Sequence, residues 1–213
     1  MSLFTKEEYD KLHSLVFVEG YSGYKPEVKE IPNGDGKVDA EKKYAHVAPK
    51  YFKTDEQREA LTPFLTKAFN LARAAADLAN IPPEYMPDIR YGALRILDYP
   101  PGAVSNKHED FDLFTLMIYR DQPDRFVADE VRDSKAISRI RLLNEQAHLG
   151  QLGEAIGLGQ ATPHEVLPSE TRQCSIVYFA IPDWESVLHD GTKVVDWLNE
   201  RMARSRTAFD KYK

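Results

Sequence analysis

One cysteine, Cys174, stands in 213 residues. No intrachain disulfide can form, a thiolate-rich zinc site is excluded, and a reducing cytoplasm is the expected location. No run approaches the roughly 18 apolar residues that a membrane-spanning helix needs. The opening residues carry Lys6, Glu7 and Glu8 where a secretory signal has its apolar stretch. Cations are the minority charge, 28 Lys and Arg against 34 Asp and Glu for a net charge of −6, and they form no basic cluster. Nucleic acid is therefore not an expected partner, because phosphate binding asks for a positive surface. Internal repeats and low-complexity segments are lacking too.

What is present suits a globular chain of one-domain size, with 42% hydrophobic residues. Three regions are expected: an N-terminal helical and loop support over 1–85, a catalytic core over 86–185, and a C-terminal helix over 186–213. Thr5-x-x-Glu8 is a capping-box pattern and predicts a helix to about Leu15. Val16 to Val18 reads as a short strand. Residues 20–50 are rich in glycine and proline and read as a loop. Thr54-x-x-Gln57 opens the longest helix, whose apolar stripe (Leu61, Phe64, Leu65, Ala68, Leu71, Ala72, Ala75, Ala76, Ala79) runs until Ile81-Pro82-Pro83. From Ile89 the period shortens. Arg90–Leu97, Leu113–Tyr119, Ala147–Leu152, Glu154–Ile156 and Ser175–Ile181 read as strands of a barrel or sandwich. Asp121–Gln146 is densely charged and reads as a lid or hairpin. A last helix is capped by Asp190 or Thr192.

His108-Glu109-Asp110 follows an extended run, and His164 lies far downstream. Alternate residues of a strand point the same way, so His108 and Asp110 can reach one ion while Glu109 points elsewhere. Two neutral imidazoles and one carboxylate on one face of a metal leave the opposite face open, the arrangement of a non-haem Fe(II) centre.

The flanking blocks carry a resemblance. Arg95-Ile96-Leu97-Asp98-Tyr99-Pro100-Pro101, the H-x-D of His108 and Asp110, and Leu113-Phe114-Thr115-Leu116-Met117 resemble the Fe(II)/2-oxoglutarate-dependent oxygenases. The nearest branch is the one with isopenicillin N synthase and the plant flavonoid and gibberellin oxygenases. Leu149-Gly150-Gln151-Leu152, Gly159 to Val166 around His164, and Ser175 to Pro182 are similar to later blocks of that family, in order, over roughly 86–185. The resemblance implies a mainly β fold with flanking helices around a double-stranded β-helix (jelly-roll) core. It implies Fe(II) on His108, Asp110 and His164, with 2-oxoglutarate as co-substrate, O2 as oxidant and a small-molecule C–H bond as target. It also makes Arg172 the expected anchor of the far carboxylate of 2-oxoglutarate, with Ser175 as a hydroxyl donor and Tyr99 reaching the co-substrate.

The family pattern there is Arg-x-Ser, whereas Gln173 precedes Ser175 by two and Arg172 by three. Strand alternation turns Arg172 away unless a bulge re-aims it. Two rivals follow: an iron oxidase of the same fold that uses no 2-oxoglutarate, and a jelly-roll binding protein without turnover. A cupin-type enzyme fits the histidine spacing poorly. His148 reads as a packing or surface histidine, and His13, His46 and His189 as solvated. Cys174 is expected to pack in the core. Phe111, Phe114, Arg90 and Val104–Lys107 are candidate pocket walls, and 20–50 and 121–146 candidate lids. Oligomeric state is left open.

Overall fold

The computed structural model describes residues 4–25, 43–120, 125–129 and 146–210. The segments 26–42, 121–124 and 130–145, which hold most of both candidate lids, lie outside the described residues.

Helix α1 (Lys6–Val16) starts on the expected capping box. The Thr5 amide donates to the Glu8 carboxylate, and the Glu8 amide donates to the Thr5 hydroxyl. Helix α2 (Asp55–Leu78) is capped by Thr54 and buries the whole predicted stripe from Leu61 to Ala76. Its C-terminus closes with two reverse bonds, Ile81 N–H to Ala76 O and Asn80 N–H to Asp77 O, while Asn80 takes the left-handed conformation at φ 53°.

Among the described residues, nine strands form two sheets. The larger has the order β1 (Tyr24–Lys25), β2 (Lys43–Val47), β3 (Ala93–Tyr99), β9 (Gln173–Ala180), β5 (Phe114–Arg120), β7 (Gln146–Leu149). The smaller has the order β4 (Ser105–His108), β8 (His164–Val166), β6 (Phe126–Ala128). Every named pairing is antiparallel. One face of the large sheet buries Ala45, Val47, Leu94, Ile96, Phe114, Leu116, Ile176, Tyr178 and Ala180 in a single core with the α1 and α2 stripes. The opposite face carries Arg95, Thr115, His148, Ser175 and Phe179, by strand alternation. It is closed by the small sheet, as in a double-stranded β-helix: Phe126 of β6 stacks on His148 of β7 with ring centroids 4.5 Å apart.

Several local expectations need correction. Val16 ends α1 and the next residues turn, so no strand forms at 16–18. Residues 24–25 and 43–47, read as loop, are strands, because Ala45 and Val47 bury against the core at 0% exposure. The strand expected through Leu152, and the next at Glu154–Ile156, are instead the end of β7 followed by a short helix α3 (Gln151–Ala155). Gly150 makes that switch: its N–H bonds to Leu113 O, and a Cβ there would run into the backbone and carboxylate of Asp112. Helix α4 (Val194–Asp210) begins after a turn in which Asp190 accepts the Thr192 amide at 2.9 Å. No helix among the described residues is long and apolar enough to cross a membrane.

The left-handed Asn80 yields a stability test. Asn80→Gly should leave the denaturant midpoint nearly unchanged. Asn80→Val forces a β-branched side chain into a left-handed site and should cost about 1–2 kcal/mol. Chemical unfolding of both variants measures the difference.

Candidate metal centre

The register of β4 and β8 places His108 directly across from His164, with ring centroids 4.4 Å apart. Each imidazole is fixed in the same way. His108 Nδ1 lies 2.6 Å from Asn106 O, and His164 Nδ1 lies 3.0 Å from Thr162 O. A carbonyl only accepts, so each Nδ1 carries the proton and each Nε2 keeps its lone pair for a metal. Asp110, just past the end of β4, turns its carboxylate between them: Oδ1 is 3.8 Å from His108 Nε2 and Oδ2 is 3.5 Å from His164 Nε2. One ligand atom from each residue lies within 4.8 Å of the other two. Cis ligands at about 2.1 Å from one ion sit roughly 3.0 Å apart, so closure takes sub-ångström to ångström side-chain movement. The donor set of two imidazole nitrogens and one carboxylate suits a divalent first-row metal with open positions. Glu109 points elsewhere, as alternation expects, and accepts from Gln151 Nε2 at 2.8 Å.

The carboxylate is itself oriented. Thr115 Oγ1 lies 2.7 Å from Asp110 Oδ2 and 2.7 Å from Asp112 Oδ2. A hydroxyl has one hydrogen and cannot donate to both. Burial, then the neighbouring Asp110 charge, push the Asp112 carboxyl well above the ordinary range. With the Asp112 carboxyl pushed up, the one Thr115 hydrogen is best directed to Asp110, which aims the candidate ligand carboxylate. Behind His164, Phe126 and His148 stack at centroid distances of 5.3 and 5.5 Å. His148 is thus a buried packing partner of the site.

The remaining candidates divide between the two faces of the large sheet. Tyr99 and Ser175 point inward, on the triad side. Arg172 lies on the other side: its guanidinium forks onto Asp98, Nε to Oδ1 at 2.7 Å and Nη2 to Oδ2 at 2.6 Å, next to Tyr9 and His13 of α1. Cys174 joins the same cluster, its thiol 3.5 Å from Asp98. Gln173 takes the inward place, and its Oε1 accepts from Arg125 Nη1 at 2.6 Å. Arg125 is buried at the entry to β6, where it also donates to Leu167 O and Ala103 O and lies 5.8 Å from the Tyr99 ring. Of the expected pocket walls, Phe114 packs in the helix-side core and Arg90 is held on the surface by Asp88 and Asp183. His46 and His13 are half-buried rather than fully solvated: His46 stacks on Tyr51 at 5.4 Å and His13 on Phe17 at 4.2 Å.

Thr115, Asp112 and Arg125 carry no individual signal in the sequence, whereas Arg95 opens the Arg-x-x-x-Tyr-Pro-Pro block. Thr115 stands inside a block that does, and Asp112 follows the H-x-D pair by two. Arg125 is hidden because the charged segment around it reads as surface.

The oriented carboxylate is testable. Thr115→Val keeps the shape of a buried side chain and removes the hydroxyl, and should weaken Fe(II) or Zn(II) binding about 10- to 100-fold. Asp110→Ala should abolish stoichiometric binding. Titration with metal, with thermal unfolding as the control for folding, reads both. An Asp110→Ala protein that binds metal like the parent would place the site elsewhere.

No protein-family model matches the chain, and no curated protein matches it in sequence. Solved structures do match in fold. A Shewanella oneidensis protein described as an oxygenase aligns over 92% of this chain and 84% of its own, at TM-score 0.58 and 20% identity. A full-length Neurospora crassa protein, solved in complex with alpha-KG, aligns over 92% and 80% at TM-score 0.55 and 18% identity. The rice dioxygenase for auxin oxidation aligns over 96% and 78% at TM-score 0.50 and 14% identity. At these identities the likeness is one of fold, and the double-stranded β-helix of this chain is the fold those proteins share.

Proposed function

We propose that this protein is an Fe(II)- and 2-oxoglutarate-dependent oxygenase that oxidises a C–H bond of a small molecule. The observation that carries the reading is the convergence of His108, Asp110 and His164, with both imidazoles pinned through Nδ1 and the carboxylate held by Thr115. The matched Neurospora crassa structures contain alpha-KG, and one of them thymine, which supports a diacid co-substrate and a small substrate on this fold. Iron on the triad would supply open coordination positions for the 2-oxo acid and O2, coupling decarboxylation to succinate with oxidation of the substrate. The protein's share is to aim Asp110 through Thr115, hold both Nε2 atoms inward and exclude water from the face between the sheets.

In this reading the far carboxylate of 2-oxoglutarate is received by Arg125 with Tyr99 and Ser175, in place of the expected Arg172. Support comes from position. Ala128 of β6 is the register partner of His164, and Arg125 lies three residues back along the chain, just before β6, within roughly 10 Å. A five-carbon diacid and an arginine side chain bridge that span. A guanidinium gives the paired donors that a carboxylate prefers. The single cysteine and the acidic balance support a cytoplasmic enzyme of small metabolites. The rival oxidase without 2-oxoglutarate has one observation in its favour, the commitment of Arg172 to Asp98.

Anaerobic addition of Fe(II) and 2-oxoglutarate should give the weak visible charge-transfer band of a chelated 2-oxo acid. Arg125→Gln should raise the 2-oxoglutarate concentration needed for half the band about tenfold to hundredfold, with Ser175→Ala a milder case. Arg172→Ala should lower thermal stability and leave the band in place. Absence of the band at saturating 2-oxoglutarate would favour the oxidase, and sensitivity to Arg172 alone would restore the original anchor.

A further inference from the structure

Arg95 lies in the middle of β3, between Leu94 and Ile96, which are both fully buried on the helix side. Alternation therefore turns Arg95 toward the metal side, opposite Val177 of β9 and His46 of β2. Its guanidinium carbon lies over two aromatic rings, 4.5 Å from the centroid of Phe179 and 5.5 Å from that of Tyr44. Nε is sealed from solvent and meets no hydrogen-bond acceptor among the described residues, yet the residue as a whole keeps partial exposure. Burial opposes its charge, and Asp110 is the foremost charge acting to restore it. That carboxylate is already directed at Thr115 and the metal position.

A charged guanidinium removed from water normally has an anion against it. Arg95 has two rings near it and an Nε donor without an acceptor among the described residues. Of the two inward guanidiniums, Arg125 is engaged with Gln173, whereas Arg95 lies on the side of Tyr44, His46 and Tyr51.

We propose that Arg95 binds the carboxylate of the primary substrate, and that the substrate is a small ring-bearing acid whose apolar body lies along Tyr44, His46, Tyr51 and Phe179. The proposal rests on the oxygenase reading, and it assigns the two inward arginines different ligands: Arg125 the co-substrate, Arg95 the substrate. A guanidinium presents paired in-plane donors that match a planar carboxylate, and nearby rings suit the apolar body attached to it. A neutral ligand of the same shape would leave the charge uncompensated and should bind worse.

The test uses matched acids and amides: benzoate with benzamide, phenylacetate with phenylacetamide, and 3-phenylpropanoate with its amide. Binding to the anaerobic Fe(II) protein is measured by calorimetry with and without 2-oxoglutarate. At least one acid should bind about tenfold or more tighter than its amide. Arg95→Gln should erase that preference while leaving the 2-oxoglutarate band. Arg95→Lys, which keeps the charge without the planar fork, should retain part of it and serves if the glutamine variant folds poorly. The proposal is overturned if no acid outbinds its amide, or if Arg95→Gln keeps the preference. It is also overturned if Arg95→Gln loses the 2-oxoglutarate band instead, which would make Arg95 the co-substrate anchor. A parent protein with no band but a clear acid preference would sink the oxygenase reading and spare the anion site.

Discussion

The site depends on one constraint: three ligand atoms must face a common point while every other polar atom of those side chains is occupied. The antiparallel pairing of β4 with β8 satisfies half of it by bringing His108 and His164 face to face. The other half is local and occurs twice, since each ring bonds through Nδ1 to the carbonyl two residues before it. That contact sets the tautomer and the ring plane together. It explains how His108, whose side chain is 42% exposed, can be as well directed as His164 at 7%. The carboxylate needs a different device, because an aspartate has two equivalent oxygens and no tautomer to fix. The chain from Asp112 through Thr115 to Asp110 supplies direction from behind, and the contact of Gly150 with Asp112 ties that chain to the turn from β7 into α3.

Much of this was legible in the sequence, for identifiable reasons. H-x-D is readable because strand alternation separates Asp110 from Glu109, and both helix starts are readable because Thr5 and Thr54 act on amides three residues away. These are local rules that hold whatever the rest of the chain does. Arg172 shows the same rule at work on a failed expectation. Its parity opposes that of Ser175, no bulge re-aims it, and it remains on the helix side with Asp98. What replaces it was illegible. Arg125 reaches Gln173 from the entry to β6, 48 residues away in sequence, and no local pattern encodes that meeting. The switch from β7 to α3 was hidden as well, because an apolar run through Gly150 reads equally as a continuing strand until Asp112 occupies the space a side chain would need.

The two faces of the large sheet handle charge in opposite ways. On the helix side, Asp98 is nearly sealed, and it meets Arg172 with two short bonds, so charge there is matched within the protein. On the metal side, Asp110 faces the candidate ligand position, burial pushes the Asp112 carboxyl well above its ordinary range, and Arg95 and Arg125 both project inward. A protein built only for stability would place apolar residues there, since a buried cation costs free energy unless an anion meets it. The two inward guanidiniums are better understood as groups that entering ligands meet. Anything that binds the folded form and not the unfolded chain stabilises it, and anions entering this face would do so with a desolvated guanidinium already in place. The same feature explains why stability and specificity pull against each other here: the groups that weaken the empty interior are the ones able to tell an acid from its amide.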